Sequence, residues 1–254
     1  MNNYFKFTYV PVTIACYTAI AMAFYTDVSV NWYLAFLAWF LIGPVGVGVG
    51  FHRLFGHRQF KTYRPVEYVL AFLGTLSSYA PIYYWIAEHQ YHHIHADTEL
   101  DFNNPERGFW HAFYYWRFKK ESETAIHVKN RCMIIAGNDT MLRWFQDYFN
   151  LVVYAYMLVT LLLGLDYFIA LFVFPILLER LRINMLNSAV HMRMPGSYQN
   201  FPVNHSFNTV WFGLLSFGFG WHNNHHANPR ELVNTHNWWE LDIEGQIGKL
   251  LSKR

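Results

Sequence analysis

Fourteen histidines stand in a chain of 254 residues, and most fall into tight groups. His52-Arg-Leu-Phe-Gly-His57 is the first. His89-Gln-Tyr-His92-His93 is the second, and His222-Asn-Asn-His225-His226 the third. Asn187-Ser-Ala-Val-His191 adds a fourth element. Imidazole is a ligand for Zn, Cu, Fe and Ni. Offsets of three and four place side chains on one helix face. His89, His92 and His93 therefore converge from one helix, and His222, His225 and His226 from another. Asn187 and His191 are likewise four apart. His52 and His57 are five apart, about 140° round a regular helix. They meet one site only if the helix end unwinds, which Gly56 permits.

Nine imidazoles exceed the roughly four to six ligands of one ion and suit two ions with open positions. Structural zinc prefers Cys, and the only cysteines, Cys16 and Cys132, lie outside these groups. Two cysteines also make no disulfide framework. The absence of HExxH argues against a zinc protease. His pairs spaced along apolar stretches are missing too, which argues against an intramembrane di-haem cytochrome. Glu88, Asp97, Glu99 and Asp101 flank the second group and are expected to accept hydrogen bonds from ligand imidazoles. His95, His111, His127, His205 and His236 lack helical partners and read as surface or packed residues. Of these, His95 and His111 lie nearest the second group.

Something must hold these groups. The chain is 54% hydrophobic, 20% aromatic and only 14% charged, against about a quarter charged in ordinary soluble domains. The aromatic content excludes a disordered protein. Nineteen basic against 17 acidic residues is too even for a nucleic-acid binder. Charge-poor runs predict four membrane spans at about 9–26, 32–51, 149–165 and 167–183. The fourth carries Glu179, Arg180 and Arg182 at its cytosolic end. Short links at 27–31 and 165–167 make two helical hairpins. Segment 66–87 is apolar but interrupted by Ser77, Ser78 and Pro81, so it reads as re-entrant or interfacial. The first span is longer than a signal-peptide core and is expected to be retained.

Neither hairpin tip contains Lys or Arg. The positive-inside rule then puts both termini, both long polar segments and the histidines in the cytosol. A soluble bundle is disfavoured, because its helices would keep a polar face. The expected fold is one all-α domain over 1–254: an integral membrane four-helix bundle of two hairpins, with a cytosolic helical cap from 52–146 and 184–254. Tyr83-Tyr84-Trp85 and the cluster Trp110, Tyr114, Tyr115 and Trp116 are expected at the membrane–water interface. Arg117, Lys119 and Lys120 read as a solvated basic face, or as a contact for lipid phosphate, CoA or an acidic electron donor. The small residues of Gly46-Val-Gly-Val-Gly50 let either a neighbouring helix or a substrate chain approach closely.

The motifs HRLFGH, HQYHH and HNNHH, in this order and interleaved with these spans, resemble those of membrane-bound fatty acyl desaturases. The stearoyl-CoA and acyl-lipid Δ9 types are most similar. GFHRLFGHRQFK, EYVLAFLGTLS, HHIHADTELD, RGFW, NSAVH, WHNNHHANPRE and WWELD extend the likeness over about residues 40–245. The resemblance implies four transmembrane helices and a cytosolic cap holding two irons. Their ligands would be His52, His57, His89, His92, His93, His191, His222, His225 and His226, with Asn187 acting through a water. It also implies a kinked apolar tunnel for the acyl chain. Gln90 departs from the family's usual basic residue, and Ala112-Phe113 stands where Ser-His is common.

The implied reaction removes two hydrogens from a saturated acyl chain, carried on CoA or a lipid, using O2 and two electrons, and leaves a cis double bond at Δ9. Methylene C–H bonds are neither acidic nor polar, so the cofactor must carry the hard step. The sequence has no His-Pro-Gly-Gly motif of a cytochrome b5 domain, so electrons are expected from a separate ferredoxin or cytochrome b5. One alternative in the same chemistry is a hydroxylase of alkyl, sterol or carotenoid substrates. An alternative of another class is a non-catalytic membrane metal-binding or transport protein, although transporters usually place ionisable residues within their spans.

Overall fold

The computed structural model describes residues 4–118, 123–137 and 139–253. Helix α1 is Phe5–Ala23 and α2 is Trp32–Gly56. They are followed by α3 (Arg64–Leu76), α4 (Ile82–His95), α5 (Phe109–Phe113), α6 (Glu123–Ala136), α7 (Thr140–Asp147) and α8 (Phe149–Leu162). A continuous helix over 165–188 forms α9, and α10 (Val210–Leu215), α11 (His222–Ala227) and α12 (Ile243–Leu251) complete the order. Among the described residues the only strands are Ser197–Tyr198 and Asn208–Thr209, paired antiparallel with Ser197 opposite Thr209.

Helix α2 sets the frame. Asn31 caps it, its side chain accepting from the Leu34 amide at 3.0 Å, which satisfies one orphan donor of the first turn. From Leu41 onward the winding is π-helical, so each amide reaches back five residues instead of four. The His57 amide donates to the His52 carbonyl at 3.0 Å. This wider winding turns residues five apart closer to a common face than a regular α-helix does. His52 and His57 meet through this wider winding and not, as expected, through an unwound helix end.

Helix α3 lies against α2 at glycines. A Cβ on Gly46 would stand 2.5 Å from the Gly74 amide nitrogen and the Leu73 carbonyl carbon, and one on Gly50 would crowd Leu70. A Cβ on Gly48 would collide with the Glu244 carboxylate. The glycine run thus serves close packing. Ser77 and Pro81 do interrupt the segment after α3: it ends at Leu76, Ser78 takes a φ of 57°, and α4 starts at Ile82.

Among the described residues, two helices, α1 and α2, are long and apolar enough to cross a membrane. The pair α7 and α8 qualifies only when taken together, bent by 66°. Alone, α8 has 14 residues, about 21 Å, which is short of a hydrocarbon core of about 30 Å. Helix α9 is continuous, but Glu179, Arg180 and Arg182 are buried. Arg182 pairs with Glu179 at 2.8 Å and with Glu244 at 2.7 Å. Arg53 pairs with Asp242 at 2.8 Å and also with Glu244. This buried chain of charges ties α12 to α2 and α9. Every charge in it faces an opposite one, as burial demands.

The main core gathers Val12, Phe51, Ile82, Ile86, Phe149, Phe172 and Ile176. Tyr83 and Trp85 belong to it too, so they do not form the expected interfacial belt; Trp110 and Tyr115 are exposed. Arg117 is buried rather than solvated. Its guanidinium lies over the rings of Tyr79 at 3.9 Å and Trp116 at 4.4 Å. Lys119 and Lys120 lie outside the described residues.

Candidate metal centre

Nine imidazoles converge in two groups. His52, His57, His89, His93 and His225 form one; His92, His191, His222 and His226 form the other. Within each group the ligand nitrogens lie within 4.8 Å of one another. In the first, Nε2 atoms approach at 3.0 Å (His52–His225), 2.6 Å (His57–His89), 3.1 Å (His89–His93) and 3.0 Å (His93–His225). In the second they approach at 3.2 Å (His92–His191), 2.9 Å (His191–His222) and 2.9 Å (His222–His226).

Helical periodicity explains the partition. On α4, His89 and His93 are one turn apart and join the first group, while His92 points to the second. On α11, His222 and His226 join the second group and His225 the first. Two helices thus supply ligands to both groups. Helix α2 adds His52 and His57, and the short 3₁₀ turn Ala189–His191 after α9 adds His191.

The proton positions show what these groups suit. Asp101 Oδ2 lies 3.0 Å from His92 Nδ1, and Asp97 Oδ1 lies 3.0 Å from His191 Nδ1. An ionised carboxylate only accepts, so each Nδ1 carries the hydrogen. In the neutral ring that leaves a lone pair on Nε2. The Nε2 atoms of His92 and His191 then face each other as two acceptors, which a cation between them would satisfy. Burial, followed by neighbouring imidazoles, holds His89, His93, His222, His225 and His226 well below the ordinary histidine pKa. Burial and Arg53 lower His57 to about 3. Burial also lowers His191 against the opposing Asp97 bond, whereas at His92 burial is outweighed by Asp101 and the value rises. Neutral imidazole is the ligating form, and an all-nitrogen set suits first-row transition metals. The residues present therefore fit two metal ions.

Of the four expected carboxylate acceptors, Asp97 and Asp101 contact ligand rings. Glu99 is exposed, and its backbone carbonyl accepts from Arg107. Glu88 is turned toward Tyr4, whose hydroxyl donates to it at 3.5 Å. Burial raises Glu88 to about 7 against the pull of Arg117. Asn187 belongs to neither group; its amide donates to Tyr79 at 3.4 Å, and it lines a pocket together with His89 and His92. The five remaining histidines stand apart from both groups. His111 meets the Phe102 carbonyl at 3.0 Å, His95 and His127 lie against Tyr91, His205 is exposed near Glu106, and His236 lies against Phe201.

Two further side chains act on the groups. Trp85 stacks on His89, with ring centroids 5.0 Å apart. It sits four residues before His89, so helical spacing could have revealed it. Asn204 pairs with His226 Nδ1 at 2.8 Å from a loop that carries no comparable signal.

The sequence model of the fatty acid desaturase family matches residues 31–244. The chain is 33% identical to the sn-1 stearoyl-lipid 9-desaturase of Anabaena variabilis, over 86% of this chain and 79% of that protein. It is 30% identical to the sn-2 palmitoyl-lipid 9-desaturase of Nostoc sp. (strain 36), over 83% and 74%. Icosanoyl-CoA 5-desaturase of Limnanthes douglasii is 28% identical, over 91% and 65%. The chain belongs to the fatty acid desaturase family. It is an oxidoreductase, a fatty acyl desaturase, with two histidine clusters able to hold metal.

Proposed function

We propose that the protein places a cis double bond at the Δ9 position of a saturated acyl chain linked as an ester or thioester, using a pair of irons. The observation that carries this reading is the convergence of nine mostly neutral imidazoles into groups of five and four. Bound there with O2 and two electrons, the irons would supply the oxidising power that an unactivated methylene requires. The protein's part is positional. His52, His57, His89, His93 and His225 would hold one ion. His92, His191, His222 and His226 would hold the other, with Asp97 and Asp101 fixing two ring tautomers. Asn187, facing the pocket beside His89 and His92, would hold a water on an ion. Burial keeps bulk water from the reacting carbon.

The Δ9 assignment draws on the names of the Anabaena and Nostoc relatives, and the thioester option on that of the Limnanthes enzyme. Four crossings, by α1, α2, the α7–α8 pair and α9, would leave the termini and the metal groups in the cytosol, because the basic residues lie on that side. A separate ferredoxin or cytochrome b5 would deliver the electrons.

The test is expression in a host with a saturated lipid background, followed by fatty-acid methyl ester analysis. A new Δ9 double bond that requires O2, disappears with His93→Ala and accompanies two irons per chain is expected. A hydroxyl group in its place would convert the assignment to a hydroxylase. Iron-loaded protein that alters no lipid would overturn it.

A further inference from the structure

Helix α11 has six residues, and three of them, His222, His225 and His226, are divided between the two imidazole groups. So short a helix closes few backbone hydrogen bonds of its own, and no side chain caps its first turn. Its direction has to be set from outside. The two residues between its histidines, Asn223 and Asn224, are buried and do this. Asn223 Oδ1 accepts from the backbone amides of Asn200 and Phe201 at 2.8 and 2.9 Å. Asn224 Oδ1 accepts from the side-chain amides of Asn200 and Asn208, each at 2.8 Å. Asn224 Nδ2 donates to the Asn234 carbonyl at 3.1 Å and to Glu240 Oε2 at 2.9 Å.

Glu240 is only 2% exposed, and six neutral donors converge on its carboxylate. Oε2 accepts from Asn224 Nδ2 and from the His236 and Asn237 amides. Oε1 accepts from the Tyr198 hydroxyl, Asn200 Nδ2 and Asn237 Nδ2. A carboxylate, which only accepts, satisfies this set. An amide of the same shape would set its NH2 against three of the six. Asn200 reaches both Glu240 and Asn224, so the carboxylate holds Asn224 directly and through a shared neighbour.

We propose that Glu240 is a positioning residue for the metal centre: through Asn224 it fixes the direction of α11, and so the ligands of both imidazole groups at once. This rests on the metal-centre reading above and adds a residue that lies outside the four histidine motifs. It also differs from Asp97 and Asp101, each of which touches one ring of one group.

The test uses the purified full chain loaded with iron, read by chelator titration with metal analysis and by Mössbauer spectra, so no turnover is needed. Glu240→Gln should weaken both ions about tenfold, the low end of what a direct partner of a ligand is worth, and should shift both iron signals. Tyr198→Phe removes one donor from Oε1, keeps the Asn224 bond, and should leave both ions as in wild type. Asn208→Ala keeps the carboxylate but cuts two bonds to Asn224. It should weaken both ions severalfold, and it carries the test if Glu240→Gln does not fold. Asn224→Asp sets carboxylate against carboxylate and should weaken both ions too. Combined with Glu240→Gln it puts a donor opposite an acceptor again and should recover part of the loss, only part because the new carboxylate also faces the Asn234 carbonyl. A Glu240→Gln protein that melts lower but holds both ions with wild-type affinity and spectra overturns the proposal. So does weakening of one ion alone, or a double variant worse than either single one. A chain whose metal pair responds as described but which desaturates nothing defeats the proposed reaction and leaves the positioning role standing. An active desaturase whose ions ignore Glu240→Gln and Asn208→Ala does the reverse.

Discussion

Asp101→Asn isolates one of the two imidazole groups. Asp101 is fully buried, and its Oδ2 lies 3.0 Å from His92 Nδ1. Asparagine keeps the shape but removes the charge, and charge-assisted hydrogen bonds are roughly twice as strong as neutral ones. The amide can also turn and donate, which would move the His92 hydrogen to Nε2 and block the lone pair that faces His191. Loss of such a partner costs about 10–100-fold in metal affinity, or about 1.4–2.7 kcal/mol. The effect should fall on the four-imidazole group, since Asp97 and Asp101 contact only His191 and His92 among the rings. Chelator titration with metal analysis reads this directly. One ion should leave at about 10–100-fold lower chelator strength than in wild type, while the other leaves where it did before. Asp97→Asn should act likewise through His191, and Glu99→Gln should change nothing. Equal weakening of both ions, or of neither, would refute the assignment of Asp101 to one group.

Acidification should destabilise the metal-free protein. His57, His89, His93, His222, His225 and His226 have folded pKa values below the ordinary value of 6.5. The unfolded chain then binds more protons below about pH 6.5, and stability falls as pH drops through that range. Glu88 and Glu244, both raised to about 7 by burial, and His92, raised because Asp101 outweighs its burial, act oppositely, losing stability as pH rises, but with His191 also lowered seven groups outnumber three. Thermal unfolding followed from pH 8 to 5.5 should show a falling midpoint; a rising one would contradict this balance. Gly46→Ala forces a Cβ against the α3 backbone at 2.5 Å and should cost about 1–3 kcal/mol, measured by denaturant unfolding. Arg53→Met leaves Asp242 and Glu244 short of a partner and should cost about 3–5 kcal/mol, with a parallel drop in metal content because His52 is its neighbour.

The centre was legible because metal ligation and helical periodicity both leave traces in spacing. Offsets of three and four on α4 and α11 bring the imidazoles together, and their number suits two ions. The sharing of each helix between the two groups was less legible: neighbouring residues such as His92 and His93 point about 100° apart on a helix, and only the assembled partners show where each ring is satisfied. The meeting of His52 with His57 is legible in the sequence, but it is brought about by π winding over Leu41–Gly56 and not by an unwound end. Glu88 lies beside His89 in sequence, yet it faces Tyr4 and Arg117, since adjacent helical positions do not share a direction. Apolar runs marked α1 and α2 well. They described α9 less well, since Glu179 and Arg182 pair with each other, Arg182 also with Glu244, and Arg180 is met by Thr13 and Ser78 from distant segments.

The charge chain joining Arg53, Glu244 and Arg182 has a consequence for biosynthesis. Arg53 enters at the end of an early helix, but the acids that neutralise it lie 189 and 191 positions later. Until the ribosome has delivered residues 242–244, the nascent chain carries a guanidinium beside a future metal ligand with no counter-ion from that segment. A chain cut before these acids would leave that guanidinium, beside His52, without the two carboxylates that neutralise it in the fold.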